Sequence, residues 1–120
     1  MRVTNGQAGS RTVVRAESVG GVGLLHVAGR LHWPVGPELR KSVAALLERG
    51  ERTILVDLRN VTGIDAAGVG ELVRLHVVTE AAGGELWIDN ADAKARRLIE
   101  RAGLLALLSL DSLFEYERCS

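Results

Sequence analysis

A chain of 120 residues has room for one domain with a single hydrophobic core and no need of covalent staples. Nearly half of it, 47%, is apolar, and 15 basic residues balance 15 acidic ones, so no net field draws in a phosphate backbone, and nucleic acid is not expected as a partner. Lone Cys119 excludes an intrachain disulfide or a cysteine-based zinc cluster, the first residues lack the apolar core of a signal peptide, and no apolar run approaches the ~20 residues of a membrane span, which predicts a cytoplasmic protein without direct membrane insertion.

Residues 1–10 read as a flexible arm and residues 11–120 as one domain. Thr12 to Glu17 alternates weakly, and Gly20, Gly21 and Gly23 mark a turn before the apolar run Leu24 to Ala28, which together predict a hairpin. A phosphate cradle is the other use of such glycines, but no helix start follows closely. Gly29 to Gly36 reads as a loop in which Trp33 wedges the chain onto the core, with an anchor for a ligand or partner as the less favoured use. Pro37 opens a helix carrying Leu39, Val43, Leu46 and Leu47 at helical spacing, and Gly50 closes it.

Ile54, Leu55 and Val56 read as a strand buried on both faces of a parallel sheet. The segment from Arg59 to Ile64 reads as a loop, and Asp65 stands at the N-cap position of the next helix. In open parallel sheets functional loops lie at the carboxyl ends of strands, which directs attention to Arg59 to Gly70. Gly83 and Gly84 end that helix and Glu85 to Ile88 forms another strand. Asn90 is expected to cap a helix with Ala95, Leu98, Ile99 and Ala102 on its buried stripe. An edge strand is placed near Ala106 to Leu110, and a short terminal helix carries Leu113 and Phe114. The sum is an α/β domain: a mixed, mostly parallel sheet with an antiparallel first strand and about four α-helices.

The run V-T-G-I-D-A-A-G-V-G-E-L, from Val61, resembles the signature of STAS domains, the family of bacterial anti-sigma factor antagonists, whose loop commonly reads Asp-Ser-Ser-Gly-Leu-Gly after a strand. The layout from about Thr12 to Tyr116 is similar to that family as well. The resemblance implies a STAS-like fold whose helix start meets a kinase-like anti-sigma factor. It also implies phosphorylation of the serine just before the glycine. Here that position is Ala67, preceded by Ala66, and neither side chain can accept phosphate, whereas Asp65, Gly68 and Gly70 keep the pattern.

Stepping 100° per residue from Asp65 puts Gly68, Val69, Leu72, Val73, Leu75 and Thr79 on the core side. The opposite side collects Ala67, Gly70, Glu71, Arg74, Val78 and Ala81, a small and apolar set for a solvated face, which predicts a partner packed against it. The contact set expected from loop and helix is therefore Thr62, Gly63, Ile64, Asp65, Ala66, Ala67, Gly70, Glu71, Arg74 and Val78. Ordinary surface alanine and valine, or cover by the N-terminal arm, is the plainer account. For Asp65 a capping role suffices, and Thr62 reads as a local hydrogen-bonding threonine before it reads as an alternative phosphate acceptor.

Enzymatic motifs are weak. No lysine followed by Ser or Thr closes Gly63 to Gly70 into a P-loop, and His26, His32 and His76 lack metal-ligand spacing. No catalytic residue, cofactor or metal ligand is expected. The sequence reading is a non-enzymatic protein-interaction module, resembling an anti-sigma factor antagonist, that works through residues 59–81, with a homodimer left open. A STAS-like accessory subunit of a transport complex or larger signalling assembly is the alternative. A receiver-like phosphoacceptor at Asp57 ranks third, because no acidic pair follows Leu24 to Ala28 to hold magnesium.

Overall fold

The computed structural model describes residues 11–103. Strand β1 (Val13–Val19) turns through Gly20 and Gly21 into strand β2 (Val22–Leu31), and both glycines have positive φ, 58° and 83°. Positive φ at both central residues is what a type I′ hairpin requires, and it explains the Gly-Gly pair without a ligand. A 3₁₀ turn (Trp33–Val35) leads into helix α1 (Gly36–Glu48), then strand β3 (Thr53–Ile64), helix α2 (Ala66–Ala81), strand β4 (Glu85–Asp89) and helix α3 (Ala93–Arg101). The sheet order is β1-β2-β3-β4, antiparallel between β1 and β2 and parallel elsewhere.

The α/β class, the mixed sheet and the antiparallel first strand match the sequence reading. Three α-helices are seen among the described residues where about four were expected; the strand at Ala106 to Leu110 and the helix at Leu113 lie outside them, as do residues 1–10. Two local readings are corrected. Arg59 to Ile64 is not a loop, because β3 runs to Ile64 and pairs with β2 from Ala28↔Asn60 to Leu31↔Ile64, with a register shift between Gly29 and Arg30 that absorbs Thr62. Asp92, not Asn90, caps α3, accepting from the Ala95 amide at 2.8 Å.

One core joins the helices to a single sheet face: Leu25, Val27, Leu31, Ile54, Val56 and Ile88 meet Leu39, Val43, Leu46, Leu72, Leu75 and Ile99. On the other face Leu24, His26, Leu55, Asp57 and Trp87 are half-buried, so among the described residues β3 alternates between covered and partly open positions instead of being enclosed on both sides.

That second face carries a hydrogen-bonded row across three strands. His26 lies between Glu17 Oε2, 2.7 Å from Nε2, and Asp57 Oδ2, 3.2 Å from Nδ1. Asp57 Oδ1 accepts from the Arg59 amide at 2.9 Å and from Asn90 Nδ2 at 2.8 Å. Asn90 reaches it from a left-handed conformation, φ 60°, which asparagine tolerates better than most residues. Burial is the largest single influence on the Asp57 carboxyl and raises its pKa. The hydrogen bonds from Asn90, Arg59 and His26, with the Arg59 charge, together outweigh it and hold the pKa below its ordinary 3.8.

The approach of α2 to the sheet depends on glycine. A Cβ on Gly68 would fall on the Leu31 carbonyl oxygen, and one on Gly36 would collide with the Glu71 carboxylate; Gly70 faces open space.

Two measurements follow. Gly68→Ala loses about 3 kcal/mol in urea unfolding, because backbone must move, whereas Gly70→Ala gains about 0.5 kcal/mol from helix propensity; equal values for the two would contradict the packing described. A carboxyl with a lowered folded-state pKa contributes stability above its unfolded value of 3.8 and loses it as pH falls through the folded value. Urea midpoints from about pH 6 to about pH 3 therefore drop less steeply in Asp57→Asn than in the wild type, and parallel curves would exclude this role.

Candidate functional site

The site is assembled where β2 and β3 end and α2 begins. Asp65 leaves β3 in an extended conformation and its Oδ1 accepts from the Gly68 amide at 2.8 Å, the N-cap geometry expected of an aspartate in this position. Its Oδ2 faces the Arg30 guanidinium at 4.0 Å. Capping fixes the first turn, and Ala66 and Ala67 are exposed on it, with half-buried Gly70 one turn on. Thr62 is exposed and Gly63 half-buried at the adjoining end of β3.

Three expected contact residues are placed differently. Ile64 is buried: as the last residue of β3 it points to the helix side and packs near Gly68. Val78 is half-buried and joins the margin of the core. Glu71 is only 3% exposed. Its Oε1 accepts from Arg40 Nη1 and its Oε2 from Arg74 Nη1, both at 2.8 Å, against the small Gly36. A carboxylate with both oxygens bound to guanidinium is a stable way to bury a charge, and removal of one partner from such a group typically costs about 3 kcal/mol or more. Glu71 therefore locks α2 to α1 and serves as a support. On the core side Gly68, Val69, Leu72, Leu75 and Thr79 are buried as expected and Val73 is half-buried.

Thr62, Gly63, Asp65, Ala66, Ala67, Gly70 and Arg74 thus remain exposed or half-buried at the end of β3 and along the first turns of α2. For a neighbour of this surface, the favoured sequence reading is corrected. Trp33 does not wedge onto the core; it is 69% exposed, and Val35 fills the interior instead. The Trp-Pro-Val-Gly run held the signal, since Gly36 starts α1 and the 3₁₀ turn before it can bury only one of its three side chains.

The chemistry available here is limited. Both Asp57 oxygens are engaged by His26, Asn90 and the Arg59 amide, a structural use of the group. Among the described residues no cluster of three His, Cys, Asp or Glu could hold a metal, and no helix is long and apolar enough to cross a membrane. One cleft, between the end of β3 and the start of α3, is lined by Val61, Thr62, Gly63, Asp92 and Lys94 and holds about 60 Å³, well short of the ~300 Å³ or more of a ligand pocket.

Comparison with known proteins agrees with this geometry. Residues 14–109 match the family profile described as Mlab, STAS domain. The anti-sigma-B factor antagonist of Bacillus subtilis (strain 168) is 25% identical over 91 residues, covering 76% of this chain and 83% of that protein. The crystal structure of an anti-sigma factor antagonist from Mycobacterium paratuberculosis superposes with a TM-score of 0.71 at 20% identity, over 91% of this chain and 96% of that one. The murine anion transporter Slc26a9 contains a similar fold: the TM-score is 0.61 at 18% identity, over 88% of this chain but 19% of the transporter. A capped helix start beside the end of a parallel strand, on a sheet with an antiparallel first strand and under a profile match that spans most of the sequence, places the chain in the STAS domain family.

Proposed function

We propose that the protein is a non-enzymatic interaction module, an anti-sigma factor antagonist that binds a kinase-like anti-sigma factor in the cytoplasm through the end of β3 and the first turns of α2. The observation that carries this reading is the exposed pair Ala66 and Ala67 on a helix start rigidly capped by Asp65. Small side chains there let a partner backbone approach closely, and the family position of the switch is kept while its hydroxyl is gone.

Phosphate on that turn would add nearly two negative charges to a docking surface. Alanine at position 67 removes the acceptor, so docking at this site is held permanently in its permitted state and any regulation lies elsewhere. The second reading, an accessory subunit of a transport or larger signalling assembly, has its support in the likeness of fold to a domain of the anion transporter. Balanced charge argues against a nucleic acid partner in either case.

Ala67→Glu tests the docking surface, using a purified kinase-like anti-sigma factor from the source organism. Binding by calorimetry weakens about 100-fold, about 2.7 kcal/mol, while the thermal midpoint is unchanged, because the side chain points to solvent. Ala67→Ser binds like the wild type and acquires one phosphate when incubated with that kinase and ATP. Undiminished binding by Ala67→Glu overturns the proposal.

A further inference from the structure

We infer that Trp33 is the anchor of this docking face and that the face takes a protein partner presenting an apolar pocket rimmed by carboxylates. The inference rests on the proposed docking role of α2 and adds the chemistry of what docks.

The segment from Leu31 to Gly36 runs along the first turns of α2. Leu31 lies under Gly68 at one end and Gly36 under Glu71 at the other, each at a separation that excludes a Cβ. Trp33 lies between these two fixed points, in a 3₁₀ turn closed by a hydrogen bond from the Val35 amide to the His32 carbonyl at 3.1 Å. An indole held on a rigid turn and 69% exposed loses little further entropy when a partner buries it. It is also the one large hydrophobic among the described exposed residues that adjoins the helix start; Val13 and Val19 lie on β1 and Val77 near the far end of α2.

The electrostatics select the rim. Within these ion pairs three guanidiniums, Arg30, Arg40 and Arg74, face two carboxylates, Asp65 and Glu71, while Glu38 is exposed in the first turn of α1. Glu71 is buried, and Asp65 spends one oxygen on the cap, whereas the Arg30 and Arg74 side chains are 63% and 64% exposed. The positive end of the α2 dipole has the same sign. What the site shows outward is therefore Trp33 on its turn and the exposed Arg30 and Arg74 side chains, and its complement is apolar for the one and acidic for the others.

The test titrates the full chain into the purified kinase-like anti-sigma factor, with Ala67→Glu as the control for the docking face. Trp33→Ala is expected to weaken binding about 30-fold or more. Arg30→Gln, at a side chain that is 63% exposed and meets Asp65 only at 4.0 Å, should slow association about threefold and flatten its salt dependence, since rim charges act mainly on encounter. Thermal midpoints of both variants report that the fold is intact. If Ala67→Glu abolishes binding and Trp33→Ala changes it less than about twofold, the anchor is wrong and the docking role stands. If the wild type does not bind, both fall. If sedimentation shows that Trp33→Ala turns a wild-type dimer into a monomer, the occupant is a second copy of this chain and the inference is overturned.

Discussion

The site depends on a close approach of backbone to backbone. The first turn of α2 rests on the Leu31 carbonyl at the end of β2, and it can do so only because residue 68 has no side chain. Everything near the site takes its position from that contact. Asp65 caps the helix in the orientation it sets, and one turn later Glu71 meets Gly36 and Arg40 on α1. A second glycine is therefore needed where the charged support enters. Both contacts are short-range and steric, and interiors packed to this density do not deform smoothly. The helix start is thus rigid, and a rigid surface suits recognition by touch, since little freedom remains to be lost on binding.

The exposed carboxyl-terminal edge and the half-open sheet face have different tasks. The row from Glu17 through His26 and Asp57 to Asn90 ties four segments together across their strands, with Asp57 at its centre. In sequence Asp57 stands at the end of an apolar strand core, the place where a phosphoacceptor aspartate also stands. The difference lies in its surroundings. Here a histidine, an amide side chain and a backbone amide converge on its two oxygens, and hydrogen-bond donors in that number stabilise the charged form without a cation.

Much of the fold was legible because its signals are local. The Gly-Gly hairpin, the apolar spacing of α1, the Asp65 cap and the glycines that close each helix all act within a turn or two of chain. What failed was decided at a distance. Asn60, Thr62 and Gly63 have the composition of a loop, yet pairing with Ala28 to Leu31 keeps them in β3. Helical stepping puts Glu71 on the outward, partner-facing side; Arg40, 31 residues earlier, joins Arg74 on its carboxylate and makes its burial tolerable. Asn90 has the chemistry of a cap, but it serves Asp57, and the aspartate two residues on takes over the cap. Trp33 failed in the opposite direction: a large apolar residue was expected inside, and the turn that holds it had room for Val35 alone.

These misplacements change what the surface can recognise. A helix face showing Glu71 and Arg74 side by side would be neutral and poor in contact area. With Glu71 withdrawn under two guanidiniums and Trp33 turned outward, the same face is positive and carries an aromatic. The alanines at 66 and 67 then acquire a second meaning. Phosphate on this turn would set nearly two negative charges against a partner whose own rim is acidic, so it would act by repulsion. With alanine at position 67 that repulsion cannot be installed, so on the proposed reading binding is constant and its strength rests on the fit of Trp33 and the exposed arginines.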